Sequence, residues 1–194
     1  MPSSSAHRAD DVLAAVSGAT RARSARRIGY AAALLPASFV TAAAVAAGRT
    51  DRARAWWARA CEQDLTARTA TRRPGAARLL AHALMCVPLG FLALIPVGVE
   101  LLFVLRGVLY PLVVQGPYDH AWGGPSLGGA WLAHFGLSLP LAFAGLGLLW
   151  LLGRLHLRLA GGMWGREVGL WPFLVLAVAS LGGIALVIAW SHQI

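Results

Sequence analysis

Two long apolar runs, residues 79–114 and 131–153, flank a short loop, residues 115–130, that contains no arginine. About 20 apolar residues are enough to cross the hydrocarbon core of a bilayer, so each run is long enough to span it. The far ends of both runs are rich in arginine: Arg72, Arg73 and Arg78 precede the first, and Arg154, Arg158 and Arg166 follow the second. Because basic residues collect on the cytoplasmic side, the pattern predicts a transmembrane hairpin with an extracytoplasmic loop in the cell membrane.

The composition agrees with a membrane protein. Only 13% of the residues are charged, whereas roughly a quarter are charged in an average soluble domain. The basic residues number 17 and all are arginine, which is typical of a high-GC bacterial genome. The net charge of +9 lies in the tail and between the apolar runs. We therefore expect a lipid bilayer with anionic headgroups as a partner, and no nucleic acid.

The remaining apolar runs complete a predicted all-α integral membrane protein of about four hydrophobic helices. Residues 1–27 form a basic tail, and residues 28–48 form a first hydrophobic helix that either spans the bilayer or is re-entrant. A full crossing would place the basic tail opposite the Arg-rich segment 49–78, against the positive-inside rule. That segment is predicted to be cytoplasmic or interfacial, with Trp56 and Trp57 at headgroup depth. Residues 79–166 form the hairpin, and residues 167–194 form a C-terminal transmembrane helix.

The loop and the start of the next helix contain most of the residues that could form a recognition site. Two glycines followed by proline allow a tight turn, and Asp119, His120 and His134 are candidates for a small polar site with Tyr118 beside them. The alternative is that the motif only closes the hairpin. A histidine here could also sense pH near neutrality. The candidate recognition cap comprises Tyr118, Asp119, His120, Trp122, Gly123, Gly124, Pro125, Trp131 and His134.

Two other sets of residues stand out within the apolar runs. Glu100 and Arg106 are ionisable groups toward the outer end of their helix, where snorkelling makes an anchoring role favourable and a functional role the alternative. The last run contains Ala179, Gly182 and Gly183, which offer small side chains for close helix packing.

The sequence gives little support for catalysis or for a cofactor. Cys61 and Cys86 do not form a CxxC motif, and the histidine spacings typical of zinc sites are absent. His82 and His156 fall near the same ends of neighbouring helices, so a bis-histidine haem is geometrically conceivable. The histidines do not repeat on one helix face as in multi-haem cytochromes. We therefore expect no cofactor, no metal and no enzymatic activity.

One part of the chain resembles a known family. A Tyr-Pro element, Tyr110-Pro111, is followed by Trp122-Gly123-Gly124-Pro125, then by Gly129-Ala130-Trp131 and His134. This pattern is similar to the membrane-embedded sensor domain of actinobacterial proteins that often precedes a histidine kinase, and the similarity covers about residues 72–165. In that family the first element closes one helix and the second opens the next. The resemblance implies signal reception.

The chain departs from that family in two ways. Residues 28–48 are too short for the two-helix hairpin with which the family domain usually begins, and no kinase motif follows. The expected function is therefore a non-enzymatic sensor-like membrane protein that recognises an envelope cue or a membrane partner and relays through protein contacts. The alternatives are an accessory or structural subunit of a larger transporter or respiratory complex, and a small haem- or quinone-associated membrane protein.

Overall fold

A computed structural model describes residues 4–61 and 73–192 of the chain. The described part contains helices and loops, with no strand. In chain order the helices are α1 (Ser4–Ala32), α2 (Leu34–Ala46), α3 (Thr50–Cys61), α4 (Ala76–Leu102), a π-helical segment (Phe103–Val108), α5 (Tyr110–Val113), α6 (Leu127–Met163) and α7 (Trp171–Ser191). Three spans, Ala76–Val108, Leu127–Met163 and Trp171–Ala189, are long and apolar enough to cross a bilayer. The prediction of an all-α membrane protein is confirmed.

The antiparallel pair of α4 and α6 forms the centre of the fold. His82 near the start of α4 lies against His156 near the end of α6. Farther along, Glu100 lies against Gly145, and at the other end Gly107 contacts Trp131. The hairpin therefore has two distinct ends. We call them the arginine end, which contains the start of α4 and the end of α6, and the cap end, which contains the loop between α5 and α6.

The first arm of the hairpin remains helical through both of its prolines, Pro88 and Pro96. Its regular helix changes instead at Phe103, where six residues form a π-helix that ends before Leu109. A π-helical turn bonds each N–H one residue farther back than an α-helix, and such turns are frequent at functional sites. Tyr110 then begins α5 with Pro111 in its first turn, a position that tolerates the missing N–H.

The second arm is longer than the apolar run suggested. The apolar run ends at Gly153, but α6 continues to Met163. The buried positions explain the difference: they recur at helical spacing across the arginine-containing segment, at Leu152, Leu155, His156, Leu159, Ala160 and Met163. An apolar stripe of this spacing supports a helix even where its other face is charged.

The N-terminal region is helical from Ser4, so the predicted basic tail belongs to α1. Described side chains from residue 14 to residue 23 are exposed, whereas Ala31 at the end of α1 is fully buried. The chain bends by 66° between α1 and α2. Pro36 lies in the first turn of α2, where it cannot donate a backbone hydrogen bond back into α1. The first apolar run is therefore two helices and not one straight span.

Contacts of α1, α2 and α3 show where both flanks of the first apolar run lie. The carbonyl of Arg27 lies against Gly153, and the Tyr30 hydroxyl donates a hydrogen bond of 3.0 Å to the Gly153 carbonyl. After α2, the Arg54 Nε donates a bond of 2.9 Å to the carbonyl of Pro74, just before α4 begins. The chain thus arrives and leaves at the arginine end of the hairpin, so the basic segments on both sides of the first apolar run share that end.

The two tryptophans of α3 have different surroundings. Trp56 is 41% exposed, but Trp57 is only 1% exposed and lies in the protein core. Its partners are polar and aromatic side chains of other helices, which the sequence of α3 alone does not reveal. The predicted segment 49–78 continues beyond Cys61 into residues 62–72, which lie outside the described residues.

The last helix packs against α4 through part of its small-residue face. A Cβ atom added at Gly183 would lie 3.1 Å from Leu92, whereas one at Gly182 would meet nothing within 4 Å. Ala179 is half-buried. Gly183 is thus the close-packing position of the three, and Gly182 faces away from the described part of the chain.

Candidate functional site

The cap begins with a turn that requires glycine. Gly123 and Gly124 have φ angles of +97° and +98°, a region that side chains with a Cβ rarely adopt. A Cβ at Gly123 would also collide with the backbone of Gly129. Pro125 is exposed beyond this turn, and the Ser126 hydroxyl then accepts a bond from the Gly129 N–H as the N-cap of α6. The Trp-Gly-Gly-Pro motif therefore folds the loop back onto the start of α6.

Trp131 connects the start of α6 to the π-helical segment. Its indole N–H donates a hydrogen bond of 2.8 Å to the carbonyl of Gly107. Gly107 is buried, and a Cβ there would meet Ser138 and Phe103 at 2.5 and 2.9 Å. Trp131 is thus a structural residue that links the two arms and gives a π-helix carbonyl its partner.

His134 lies one turn farther along α6 and packs on Tyr110 of the other arm. The two rings are stacked, with centroids 4.5 Å apart. The Nδ1 of His134 lies 2.8 Å from the Ala130 carbonyl oxygen. A carbonyl only accepts, so Nδ1 carries the proton and Nε2 is the acceptor of the neutral ring. The partner of His134 is thus a carbonyl of its own helix, four residues back.

A cavity of about 420 Å³ lies where the loop meets these two arms. It brings together three of the predicted cap residues, His120, Trp122 and His134, and adds one that we had assigned only to the helix end, Tyr110. Trp122 is 73% exposed and Tyr110 only 4% exposed. One side of the cavity is therefore exposed, and the other is buried in the hairpin. We call it the cap cavity.

Six predicted cap residues do not line this cavity, and Tyr118 and Asp119 are two of them. The Tyr118 hydroxyl turns back and donates a bond of 3.1 Å to the Val114 carbonyl. Asp119 is exposed and is not among the residues that line the cavity. The expected polar site of Asp119, His120 and His134 is therefore replaced by an aromatic cavity with two histidines.

The two ionisable residues of the first arm face different surroundings. Glu100 lies toward the inside of the hairpin, and its Oε1 is buried without a hydrogen-bond partner among the described residues. Arg106 is exposed, which agrees with an anchoring position near the cap end.

The arginine end of the hairpin forms a basic surface around a second cavity. This cavity measures about 420 Å³, and its charged lining consists of Arg27, Arg154, Arg158, Arg166 and Glu167. The Arg158 guanidinium lies 4.8 Å from the centre of the Trp171 ring. Basic cavities between membrane helices can bind anionic headgroups, so this cavity is where the lipid partner predicted from the arginine clusters would bind; that partner stays a prediction.

A buried polar cluster lies about two turns inside the same end. The Nε2 atoms of His82 and His156 are 3.2 Å apart, and the Sγ of Cys86 is 3.4 Å from the His82 Nε2. The three side chains are at most 1% exposed. We call these residues the His–Cys cluster. The imidazole rings touch each other directly, so this arrangement does not favour a haem held between them.

Aromatic residues from α1 and α3 enclose the His–Cys cluster. The Trp57 ring centre lies 4.7 Å from that of His82 and 5.3 Å from that of His156, and Tyr30 contacts His156 at 5.4 Å. The Trp57 indole N–H donates a bond of 2.9 Å to the Thr41 hydroxyl. The N-terminal helices therefore form a cover over the cluster.

Comparisons with protein-family models, with curated proteins and with solved structures found no match to this chain. Its class therefore rests on the fold and the two sites: an all-α membrane protein built on a capped hairpin, with an aromatic cavity at one end and a buried His–Cys cluster near the other. Neither the fold nor the comparisons assign the chain to a family.

Proposed function

We propose that the protein is a non-enzymatic, sensor-like membrane protein that recognises an envelope cue or a membrane partner in the cap cavity and relays the event through helix contacts. The observation that carries this proposal is that both arms of the hairpin wall the same cavity. Tyr110 contributes from the first arm and His134 from the second, while Trp122 comes from the loop. An occupant would touch all three elements at once.

The lining suggests the chemistry of the occupant. The Trp122 and Tyr110 rings favour a flat apolar group, since aromatic pairs gain from stacking and edge contacts. The acceptor Nε2 of His134 and the ring nitrogens of His120 can hydrogen-bond to a polar substituent. The proposed cue is therefore a small molecule or side chain with an aromatic or planar group and at least one hydrogen-bonding atom.

The π-helical segment provides a means of relay. A π turn contains one residue more than an α turn. A change from one to the other would therefore rotate the following residues by about 100°. Tyr110 comes directly after this segment, and Trp131 holds the Gly107 carbonyl within it. A cue that shifts the stacked Tyr110–His134 pair would thus act on the one irregular part of the first arm.

The charge distribution supports an extracytoplasmic cap. The cap cavity has no arginine in its lining, whereas the cavity at the opposite end is lined by arginines from α1, α6 and the following loop. The positive-inside rule assigns the arginine end to the cytoplasm. Under this proposal the relay runs from the envelope toward the cytoplasmic end of the hairpin.

Under the sensor proposal, a membrane partner would receive the signal. The groove between α4 and α7 supports the alternative, in which the protein is an accessory subunit. An apolar groove of about 510 Å³ runs between α4 and α7, with a lining that includes Phe91, Leu94, Ile95, Ile184, Val187 and Ile188. If the protein is a structural subunit, this groove and not the cap should be essential. The two functions therefore predict different sensitive surfaces.

The experiment compares four strains: wild type, a deletion, the double variant His120→Ala/Trp122→Ala and the control Leu112→Ala. Leu112 is 81% exposed and does not line the cap cavity. Each strain is exposed to acid, detergent and cell-wall antibiotics, and its transcript profile and membrane level of the protein are measured. We expect the double variant to reproduce the deletion profile at a normal protein level, while the control matches wild type.

Two outcomes would contradict the sensor proposal. One is a deletion that changes transcripts while the double variant does not, and the other is a deletion with no effect under any of these conditions. A stoichiometric partner that co-purifies in mild detergent, and is lost on changes in the α4–α7 groove but not in the cap, would favour the accessory subunit.

A further inference from the structure

The three donors of the His–Cys cluster are arranged as metal ligands. The Nε2 atoms of His82 and His156 and the Sγ of Cys86 all lie within 4.8 Å of one another. In metal sites with bonds of about 2.0 Å to nitrogen and 2.3 Å to sulfur, neighbouring nitrogens lie about 3.3–3.6 Å apart and nitrogen–sulfur pairs about 3.6–3.8 Å apart. The 3.2 Å and 3.4 Å separations measured here are close to these values.

Hydrogen bonding alone leaves this cluster incomplete. The His82 Nε2 has two close neighbours, but one ring nitrogen offers either a single proton or a single lone pair. It can therefore satisfy only one of them well. A half-satisfied polar network inside an apolar core is costly.

We propose that the His–Cys cluster is a site for a monovalent copper ion. A Cys86 thiolate and two neutral imidazoles carry one negative charge, which Cu(I) neutralises, and thiolate is a ligand that this soft ion prefers. A divalent ion on the same donors would leave one net positive charge buried among apolar side chains. Structural Zn²⁺ sites have four protein ligands, and catalytic sites fill the fourth position with water or substrate; here three donors converge within the described residues, under aromatic rings that leave no polar fourth ligand in view.

Binding requires no electron transfer. The Cu(I) ion forms bonds to two imidazole nitrogens and to Cys86, whose thiol loses its proton to the solvent. Each histidine then carries its remaining proton on Nδ1. The cover formed by Trp57 and Tyr30 excludes water and thereby protects the ion from oxidation and from competing ligands.

Anaerobic titration of the full chain in nanodiscs tests the site directly. The protein is first stripped of metal and then loaded with Cu(I) in competition with bicinchoninate. We expect one Cu(I) per chain. We also expect X-ray absorption at the copper edge to give two nitrogen neighbours and one sulfur neighbour.

Variants identify the ligands. Cys86→Ser and His156→Ala should each weaken Cu(I) binding by at least about 100-fold, since even the loss of an outer-shell partner of a metal ligand weakens binding by 10–100-fold. Cys61→Ser is the matched control, because Cys61 lies in the same core but outside the three-donor group. Its substitution should weaken Cu(I) binding by much less than the loss of a ligand does.

Three results would overturn the proposal: fewer than about 0.2 Cu(I) per chain in the competition, a copper spectrum without a sulfur neighbour, or Zn²⁺ binding that excludes Cu(I) from the three donors. The spectrum uses the wild-type chain, so it decides the question even if a variant does not fold. These results do not bear on the cap cavity, which lies at the opposite end of the hairpin.

Discussion

Replacement of Gly90 by alanine should loosen the N-terminal cover from the hairpin. A Cβ at this position would lie 2.6–2.7 Å from the Cβ, Cα and N of Leu35 in α2. Carbon atoms pack best at about 3.5–4.0 Å, so the backbone of α2 would have to move by about 1 Å. A backbone cannot rotate away as a side-chain end can, and we therefore expect a penalty near the upper end of the usual overpacking range, about 3 kcal/mol.

The matched control is Gly98→Ala in the same helix, where an added Cβ meets nothing within 4 Å. Both changes bring the same gain in helix propensity, about 1 kcal/mol. The difference between the two variants therefore isolates the clash with Leu35. An equilibrium shift of 3 kcal/mol corresponds to a factor of roughly 100.

Thiol labelling of Cys86 measures this shift. Cys86 is 1% exposed and lies one turn before Gly90 on the same face of α4. In metal-stripped protein with Cys61→Ala, a small maleimide reaches Cys86 only when the cover opens. We expect labelling roughly 100-fold faster in Gly90→Ala than in Gly98→Ala. Equal rates would refute the packing of α2 on α4 through this glycine.

Three further substitutions test other contacts. Trp131→Phe should destabilise the fold by about 1–3 kcal/mol, because it removes the indole bond to the buried Gly107 carbonyl; thermal unfolding in detergent measures this. Thr41→Val should cost about 1–3 kcal/mol by the same assay, because the buried Trp57 indole N–H loses its acceptor. Arg158→Gln should reduce phosphatidylglycerol retained by the purified protein, because Arg158 lines the basic cavity; native mass spectrometry counts the bound lipid.

Each of these predictions has its own control. Trp122→Phe changes an exposed tryptophan, and stability equal to that of Trp131→Phe would contradict the role given to Trp131. Ser38→Ala removes a buried hydroxyl that bonds the Leu34 carbonyl of its own helix; a loss as large as for Thr41→Val would argue against the bond to Trp57. Arg106→Gln alters an exposed arginine at the other end, and an equal loss of lipid would show that retention is not specific to the basic cavity.

The spans were predictable from sequence because a long apolar run has few alternatives to a membrane helix. Their ends were less predictable, since α6 extends through an arginine-containing segment to Met163. A count of charged residues does not predict a helix in that segment. The helix is indicated instead by the helical spacing of its buried residues, Leu152, Leu155, His156 and Leu159. A buried stripe can continue while the opposite face becomes charged.

The sites were predictable in part. The approach of His82 to His156 followed from the hairpin topology, but Cys86 as a third donor did not. The glycine turn and His134 lie within one short stretch, and both contribute to the cap. The His–Cys cluster joins His82 and Cys86 of α4 to His156, which is 74 residues from His82. Spacing rules for metal motifs detect ligands on one helix or loop and do not detect a pair that antiparallel packing brings together.

The charge pattern also bears on the side of the membrane on which α1 lies. Arg27 packs against Gly153, and Arg54 bonds to Pro74, so both flanks of the first apolar run lie at the arginine end. A re-entrant run satisfies the positive-inside rule, whereas a complete span would place the arginines of α1 outside. A re-entrant first run, which stays a prediction, would remove the conflict that the sequence contained.

Accessibility labelling in intact cells tests this topology. Single cysteines at Ala22, Ala55 and Asp119, all exposed positions, are introduced in a background with Cys61→Ala and Cys86→Ala. A membrane-impermeant maleimide should label position 119 in intact cells and positions 22 and 55 only after the cells are opened. If position 22 labels together with position 119, α1 and α2 form a complete, bent span. If position 119 is protected and position 55 reacts, the cap faces the cytoplasm, and recognition of an envelope cue there must be abandoned.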